Sequence, residues 1–398
     1  MRANLGAITL TLCLLLCPAT VCAAECPRPE PPLPRSLYTA LYRAQKQQAE
    51  KRTARAYAEL KRFARENPSS AHYRLYYTLG VLAFELGRVG EADRHFARAT
   101  ELNPCYAPAW QNLAVLRFRQ RRYREAAELM LRAHALTRPP NPDLLYQAAA
   151  MFLTAGDARS ALPLLERLAA RPKPRASWLK ALVQTCLLLK QTRRAAAVLE
   201  RLLRLQPGEA VLWRLAASVA LEQRRYAAAA ADLEIAYALE PPSPQGWRRL
   251  GDIYRAAGVP AQAAVCYRRA CGGKPTPRDL DRLALVLARA HRLDEAIQAA
   301  RQAAETKPTA RRWDRLGRLY LLARRYPQAR DAFRRAAKLD PARGRHSLMA
   351  AYADMQLGDY PAAQKDLTRA LRAAEKDTPT AREAARLLKA VERYLQQG

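Results

Sequence analysis

Two stretches, WRRLGDIYRAAGVPAQAAVCYRRACGGKP at 247–275 and WDRLGRLYLLARRYPQARDAFRRAAKLDP at 313–341, carry the same residue types at the same internal spacing. Trp247, Leu250, Gly251, Tyr254, Ala263, Tyr267, Ala270 and Pro275 answer to Trp313, Leu316, Gly317, Tyr320, Ala329, Phe333, Ala336 and Pro341. Agreement at this many positions predicts an internal repeat of about 34 residues, each unit a pair of helices. Ala92, Ala126, Ala161, Ala195, Ala229, Ala263, Ala296, Ala329 and Ala363 then share one repeat position, where a small side chain lets the two helices of a unit approach. Gly80, Gly251 and Gly317 do the same on the first helix. Pro104, Pro207, Pro241, Pro275, Pro308 and Pro341 end the second, because proline lacks an N–H and disfavours helix in the residue before it.

The pattern resembles the tetratricopeptide repeat. Extended both ways, it fills residues 36–377 with about ten units, the first degenerate and Asn141 a single inserted residue. Residues 378–398 read as one amphipathic capping helix. The expected fold is all-α: a right-handed superhelical solenoid of about ten helix pairs plus that C-terminal cap. No unit buries its own apolar face, so stability comes from stacking. The repeats show no internal domain boundary.

Composition agrees. Hydrophobic residues make up 50 % of the 398, too many for a disordered polycation, and Gly is only 15. The formal net charge is +32, carried mostly by Arg. Residues 1–24 read as a secretory signal: Arg2 supplies the positive start and Leu5 to Cys17 is almost wholly apolar. That run is short of the roughly 18–20 residues that span a bilayer. Residues 25–35 form a Pro-rich linker. Five cysteines follow the signal, Cys26, Cys105, Cys186, Cys266 and Cys271, an odd and scattered set that reads as buried small apolar residues rather than a disulfide framework.

No catalytic constellation, phosphate loop or metal-ligand spacing is present in the sequence, so an enzyme is not expected, and neither is a cofactor or metal. Gly272-Gly273-Lys274 reads as a turn between repeats, and His291 as a turn residue equivalent to Gly258. A stack of helix pairs presents a groove lined by the first helix of each unit. The predicted lining is Tyr77, Val81, Phe84, Gln111, Phe118 and Tyr146, then Lys180, Gln184, Arg214, Arg248, Arg255, Arg278, Arg311 and Arg318. Such a groove starts aromatic and becomes basic, fit for an extended or helical acidic segment of a protein partner. A second basic feature is Arg121-Arg122-Tyr123, Arg224-Arg225-Tyr226 and Arg324-Arg325-Tyr326 at equivalent turns, an edge that could meet a membrane surface or an anionic polymer. Nucleic acid would fit the charge, but export argues against it.

A closer resemblance lies in the order of particular phrases. Asp143–Tyr146, Ala161–Leu168, Trp178–Leu182, Leu212-Trp213, Asp232–Tyr237, Ala257–Pro260 and Ala290–Ala296 follow one another in a way similar to periplasmic tetratricopeptide proteins that accompany TonB energy-transduction systems of Gram-negative bacteria. The resemblance implies an exported scaffold, accessory to uptake through outer-membrane receptors, with no catalytic residues. The alternative is a periplasmic scaffold for polysaccharide export or envelope assembly that binds an anionic polymer or acidic protein.

Overall fold

The computed structural model describes residues 33–375 and 378–397. The expected signal at 1–24 and most of the linker at 25–35 lie outside them. Twenty-one α-helices and no strand are present among the described residues. They run in pairs: α1 (Arg35–Ala49) with α2 (Thr53–Glu66), α3 (Tyr73–Glu85) with α4 (Val89–Leu102), α5 (Ala107–Arg119) with α6 (Tyr123–Leu136), and α7 (Pro142–Thr154) with α8 (Ala158–Ala169). Next come α9 (Ala176–Leu188) with α10 (Thr192–Leu205), α11 (Ala210–Glu222) with α12 (Tyr226–Leu239), and α13 (Pro244–Ala256) with α14 (Pro260–Cys271). The last are α15 (Pro277–Arg289) with α16 (Leu293–Thr306), α17 (Ala310–Leu322) with α18 (Tyr326–Leu339), α19 (Arg345–Gln356) with α20 (Tyr360–Ala373), and then α21 (Pro379–Gln397). By packing the chain falls into two compact units, up to Leu202 and from Leu203, a division that the repeat pattern does not reveal.

The small-residue positions act as the spacing requires. Every alanine of the shared position, from Ala92 to Ala363, is wholly buried. Above Gly80, Gly251 and Gly317 lie the rings of Phe96, Tyr267 and Phe333 from the second helix of the same pair. A Cβ on those glycines would stand 2.6, 2.6 and 2.7 Å from ring carbons, too close to be accommodated. Each aromatic is itself buried to within 1 %. The glycine therefore makes room for an aromatic ring, and the ring closes the pair. The inserted Asn141 accepts a 2.9 Å bond from the Asp143 N–H and caps α7.

Proline stops most second helices just beyond their ends. At α14 the stop comes sooner, because Gly272 and Gly273 take left-handed backbone (φ 49° and 87°) and Pro275 follows later. Helix α21 packs Ala384 and Val391 into the cluster of Leu348, Ala351 and Leu367 on α19 and α20, and so closes the C-terminal end of the second unit.

Arginine ties neighbouring pairs together inside each unit. In the first unit Arg124 reaches Asp157 at 2.7 Å, Arg175 reaches Asp143 at 2.5 Å, and Arg194 reaches Glu166 at 3.2 Å. In the second, Arg248 reaches Asp279 at 2.8 Å, Arg312 reaches Asp281 at 2.9 Å, and Arg334 reaches Asp366 at 2.8 Å. In every case the partners are about one repeat apart in sequence. A further regularity covers tryptophan: Arg132, Arg269 and Arg335 place their guanidinium groups 4.0, 4.7 and 4.6 Å from the ring centres of Trp110, Trp247 and Trp313.

Candidate functional site

The candidate site is the face built by the first helices, taken separately in each unit. In the first unit the predicted aromatics are partly engaged with their own neighbours. Tyr77 is half-buried, edge-on to Tyr106 at 5.1 Å and tilted against Phe96 at 5.9 Å. Phe84, also half-buried, lies under the Arg119 guanidinium at 4.2 Å. Phe118 remains exposed beside Tyr123, with ring centres 5.1 Å apart. Val81, Gln111 and Tyr146 are half-buried, whereas Lys180 and Gln184 stand exposed.

In the second unit the predicted basic residues divide into two kinds. Arg214 pairs with Glu240 at 2.8 Å and Arg318 with Asp314 at 2.8 Å. Arg255 stands 3.8 Å from Asp252. Arg248 donates two bonds, of 2.8 and 3.0 Å, to the buried Asp279. Burial works against the charge of Asp279, but the bonds from Arg248 and Thr276 outweigh it and hold the carboxyl below its ordinary range. Arg248 is thus a structural clamp between repeats before it is a binding residue. Arg278 and Arg311 are exposed and make no ion pair among the described residues, so their charge is available.

Close by, a cleft of about 760 Å³ opens between α12 and α13, lined by Tyr226, Tyr237, Arg248, Arg249, Asp252 and Arg282, among others. The sequence reading missed Arg249 and Arg282. Arg282 stands four residues after the predicted Arg278, one helical turn, and that spacing could have found it. Among the described residues no group of three or more His, Cys, Asp or Glu side chains is gathered to hold a metal ion.

The edge of paired arginines has an unforeseen backbone feature. The turn between the helices of a pair takes a left-handed residue, and four of these turns use Gly87, Gly156, Gly258 and Gly358. The other six use Lys51, Arg121, Lys190, Arg224, His291 and Arg324, with φ between 55° and 62°. His291 does stand where Gly258 stands in the preceding pair. At Arg121 the N–H bonds to the Phe118 carbonyl at 3.0 Å and the next N–H to the Arg117 carbonyl at 2.9 Å, a Schellman closure. Left-handed backbone costs a residue with a Cβ about 1–2 kcal/mol. A cation near a helix C-terminus typically returns only about 0.3–1 kcal/mol. Glycine would suit these turns better on local grounds.

Cysteine chemistry departs from expectation at one position. Cys186 and Cys266 are free and buried, as anticipated, and burial pushes the Cys266 thiol up to about 11. Cys271 is also free. Cys105, however, is disulfide-bonded.

Models of the tetratricopeptide repeat match residues 77–139, 152–219, 214–277 and 310–343, together more than half of the chain. The chain belongs to the tetratricopeptide repeat family. These repeat proteins are scaffolds that bind protein partners or peptides, and the family is generally non-enzymatic. An uncharacterized protein of Methanocaldococcus jannaschii is 41 % identical over 71 residues, which is 18 % of this chain and 80 % of that protein. Among solved structures, Naa15/Naa10 bound to HypK-THB is similar at 15 % identity and TM-score 0.44, over 87 % of this chain; the chain spans 65 % of that one. YrrB, described as a tetratricopeptide protein with an unusual peptide-binding site, is similar at 18 % identity and TM-score 0.38, over 47 % of this chain and 95 % of its own.

Proposed function

We propose that this tetratricopeptide protein is an exported, periplasmic scaffold whose first-helix faces hold an acidic segment of a protein partner, and that it serves as an accessory of a TonB-type transport system. The observation that carries the binding reading is the pair Arg278 and Arg311: exposed guanidinium groups with no ion pair, in a chain that uses so many other arginines to clip repeats together. A planar guanidinium without an internal partner is suited to bidentate recognition of a carboxylate. Export is supported by the apolar run after Arg2 and by the disulfide at Cys105, since disulfides persist in oxidising compartments. The TonB assignment rests on the ordered phrases in the stretch from about Asp143 to Pro341. The alternative, a scaffold for polysaccharide export, draws on the excess of basic charge.

The test joins a pull-down from envelope extracts to a variant. Native protein under mild cross-linking should recover TonB or its motor subunits. Arg278→Glu with Arg311→Glu should lose that partner while helicity stays unchanged. Recovery of polysaccharide-export proteins alone would sink the TonB assignment, and unaltered capture by the double variant would sink the basic face.

A further inference from the structure

The six left-handed turn residues that are not glycine are all basic, although Lys, Arg and His make up fewer than one residue in five of the chain. Local energetics does not select them, because glycine fits the same turn without strain and occupies it in four other pairs. Among residues with a Cβ a helix C-terminus favours a cation by about 0.3–1 kcal/mol, and the long side chains are left exposed to a partner outside the helix pair.

In the second unit these turns are Arg224-Arg225, His291-Arg292 and Arg324-Arg325, all exposed. Arg292 pairs with Glu295 and Arg325 with Asp294, each at 2.5 Å. Arg224, Arg225 and Arg324 make no ion pair among the described residues. None of the six lines the cleft between α12 and α13. Tyr226 and Tyr326 follow two of the arginine pairs directly and are half-buried at the start of their helices.

We propose that this turn edge of the second unit docks on an anionic lipid surface. Unpaired cations at the tips of two helix pairs, α11 with α12 and α17 with α18, outside the cleft between α12 and α13, ask of their partner only negative charge spread over a surface. An anionic headgroup layer supplies that, at about 1 kcal/mol for each cation near the surface. Tyr226 behind the arginines is committed to the core and the cleft, so the arginines alone carry the contact. The surface is separate from the first-helix face, so a partner can be held while the edge is seated.

The test is vesicle co-sedimentation of the protein purified after expression of the full chain. The vesicles are phosphatidylcholine alone or phosphatidylcholine mixed with phosphatidylglycerol. Native protein should bind the mixed vesicles and release as salt rises. The variant Arg224→Gly, Arg225→Gln, Arg324→Gly should bind them about a hundredfold more weakly, at about fivefold per cation near the surface. Its melting temperature should not fall, because glycine relieves two left-handed arginines. A control of equal charge, Lys338→Gln, Arg343→Gln, Arg372→Gln, changes residues at the opposite ends of the second helices and should bind within a few-fold of native. Equal weakening by test and control variants would reduce the effect to net charge and overturn the proposal. So would equal binding to both vesicle types, or tight binding to alginate with none to vesicles. Should the triple variant not fold, Arg224→Asn with Arg324→Asn carries the same comparison, since asparagine tolerates the turn.

Discussion

Replacing the buried Asp354 by Asn should make the protein more stable at neutral pH. Asp354 sits on α19 with no exposed surface and accepts a 2.9 Å bond from Arg334. Its other oxygen, Oδ1, is buried without a hydrogen-bond partner; Arg330 stands 3.8 Å away, too far to supply one. Arg334 is shared, because it also donates to the buried Asp366 at 2.8 Å, which takes a further bond from Arg369 at 3.1 Å. Burial pushes the Asp354 carboxyl up; Arg334 and Arg330 oppose it, the charge of Asp366 adds to it, and the result is about 6.

The folded state therefore holds this proton more tightly than the unfolded chain, whose value is near 3.8. The stability that follows is present in full below about pH 4 and is lost as pH rises through about 6. Ionising Asp354 in the folded protein costs about 3 kcal/mol, from 1.36 kcal/mol per pH unit over that interval. Asparagine keeps the shape and an oxygen for Arg334, carries no charge, and avoids this cost. Asp279 and Asp314 are held below their ordinary range, so they respond at lower pH than Asp354. Asp354→Asn should gain up to about 3 kcal/mol at about pH 7.5 and almost nothing at about pH 4. Because a repeat stack opens locally, the measurement is hydrogen exchange in α18, α19 and α20 of native and variant at each pH. A variant that opens more readily than native at about pH 7.5, or gains equally at both pH values, refutes the reasoning.

Three other outcomes can be checked. Gly317→Ala should lower stability by about 1–3 kcal/mol in urea unfolding, because the new methyl meets the fully buried Phe333 ring. Arg248→Met should cost about 1–3 kcal/mol by leaving the buried Asp279 carboxylate only the Thr276 bond and Arg282 at 3.6 Å, with faster exchange in α13 and α15. Differential alkylation with mass spectrometry should label Cys105 only after reduction, and Cys186 and Cys266 only after unfolding; a Cys105 thiol reactive in unreduced protein would remove one support for export.

The helices were legible because their determinants are local and repeated. Alanine at one position and glycine facing an aromatic recur at a constant interval, and a close helix–helix approach admits little else at Ala263 or Gly251. What one sequence could not show was which arginines are free. Arg248 and Arg278 are both expected to line the groove, yet Arg248 is committed to Asp279, 31 residues away, and Arg278 to nothing. That difference depends on how one repeat stacks on the next and on whether an acid stands opposite, and neither is written in the spacing. The left-handed turns were hidden for a related reason: glycine announces such a backbone, whereas Arg224 disguises it. A charge of +32 is therefore a poor guide to binding in a chain of this kind. Much of it is consumed between neighbours, and the informative residues are the minority for which the stack supplies no acid.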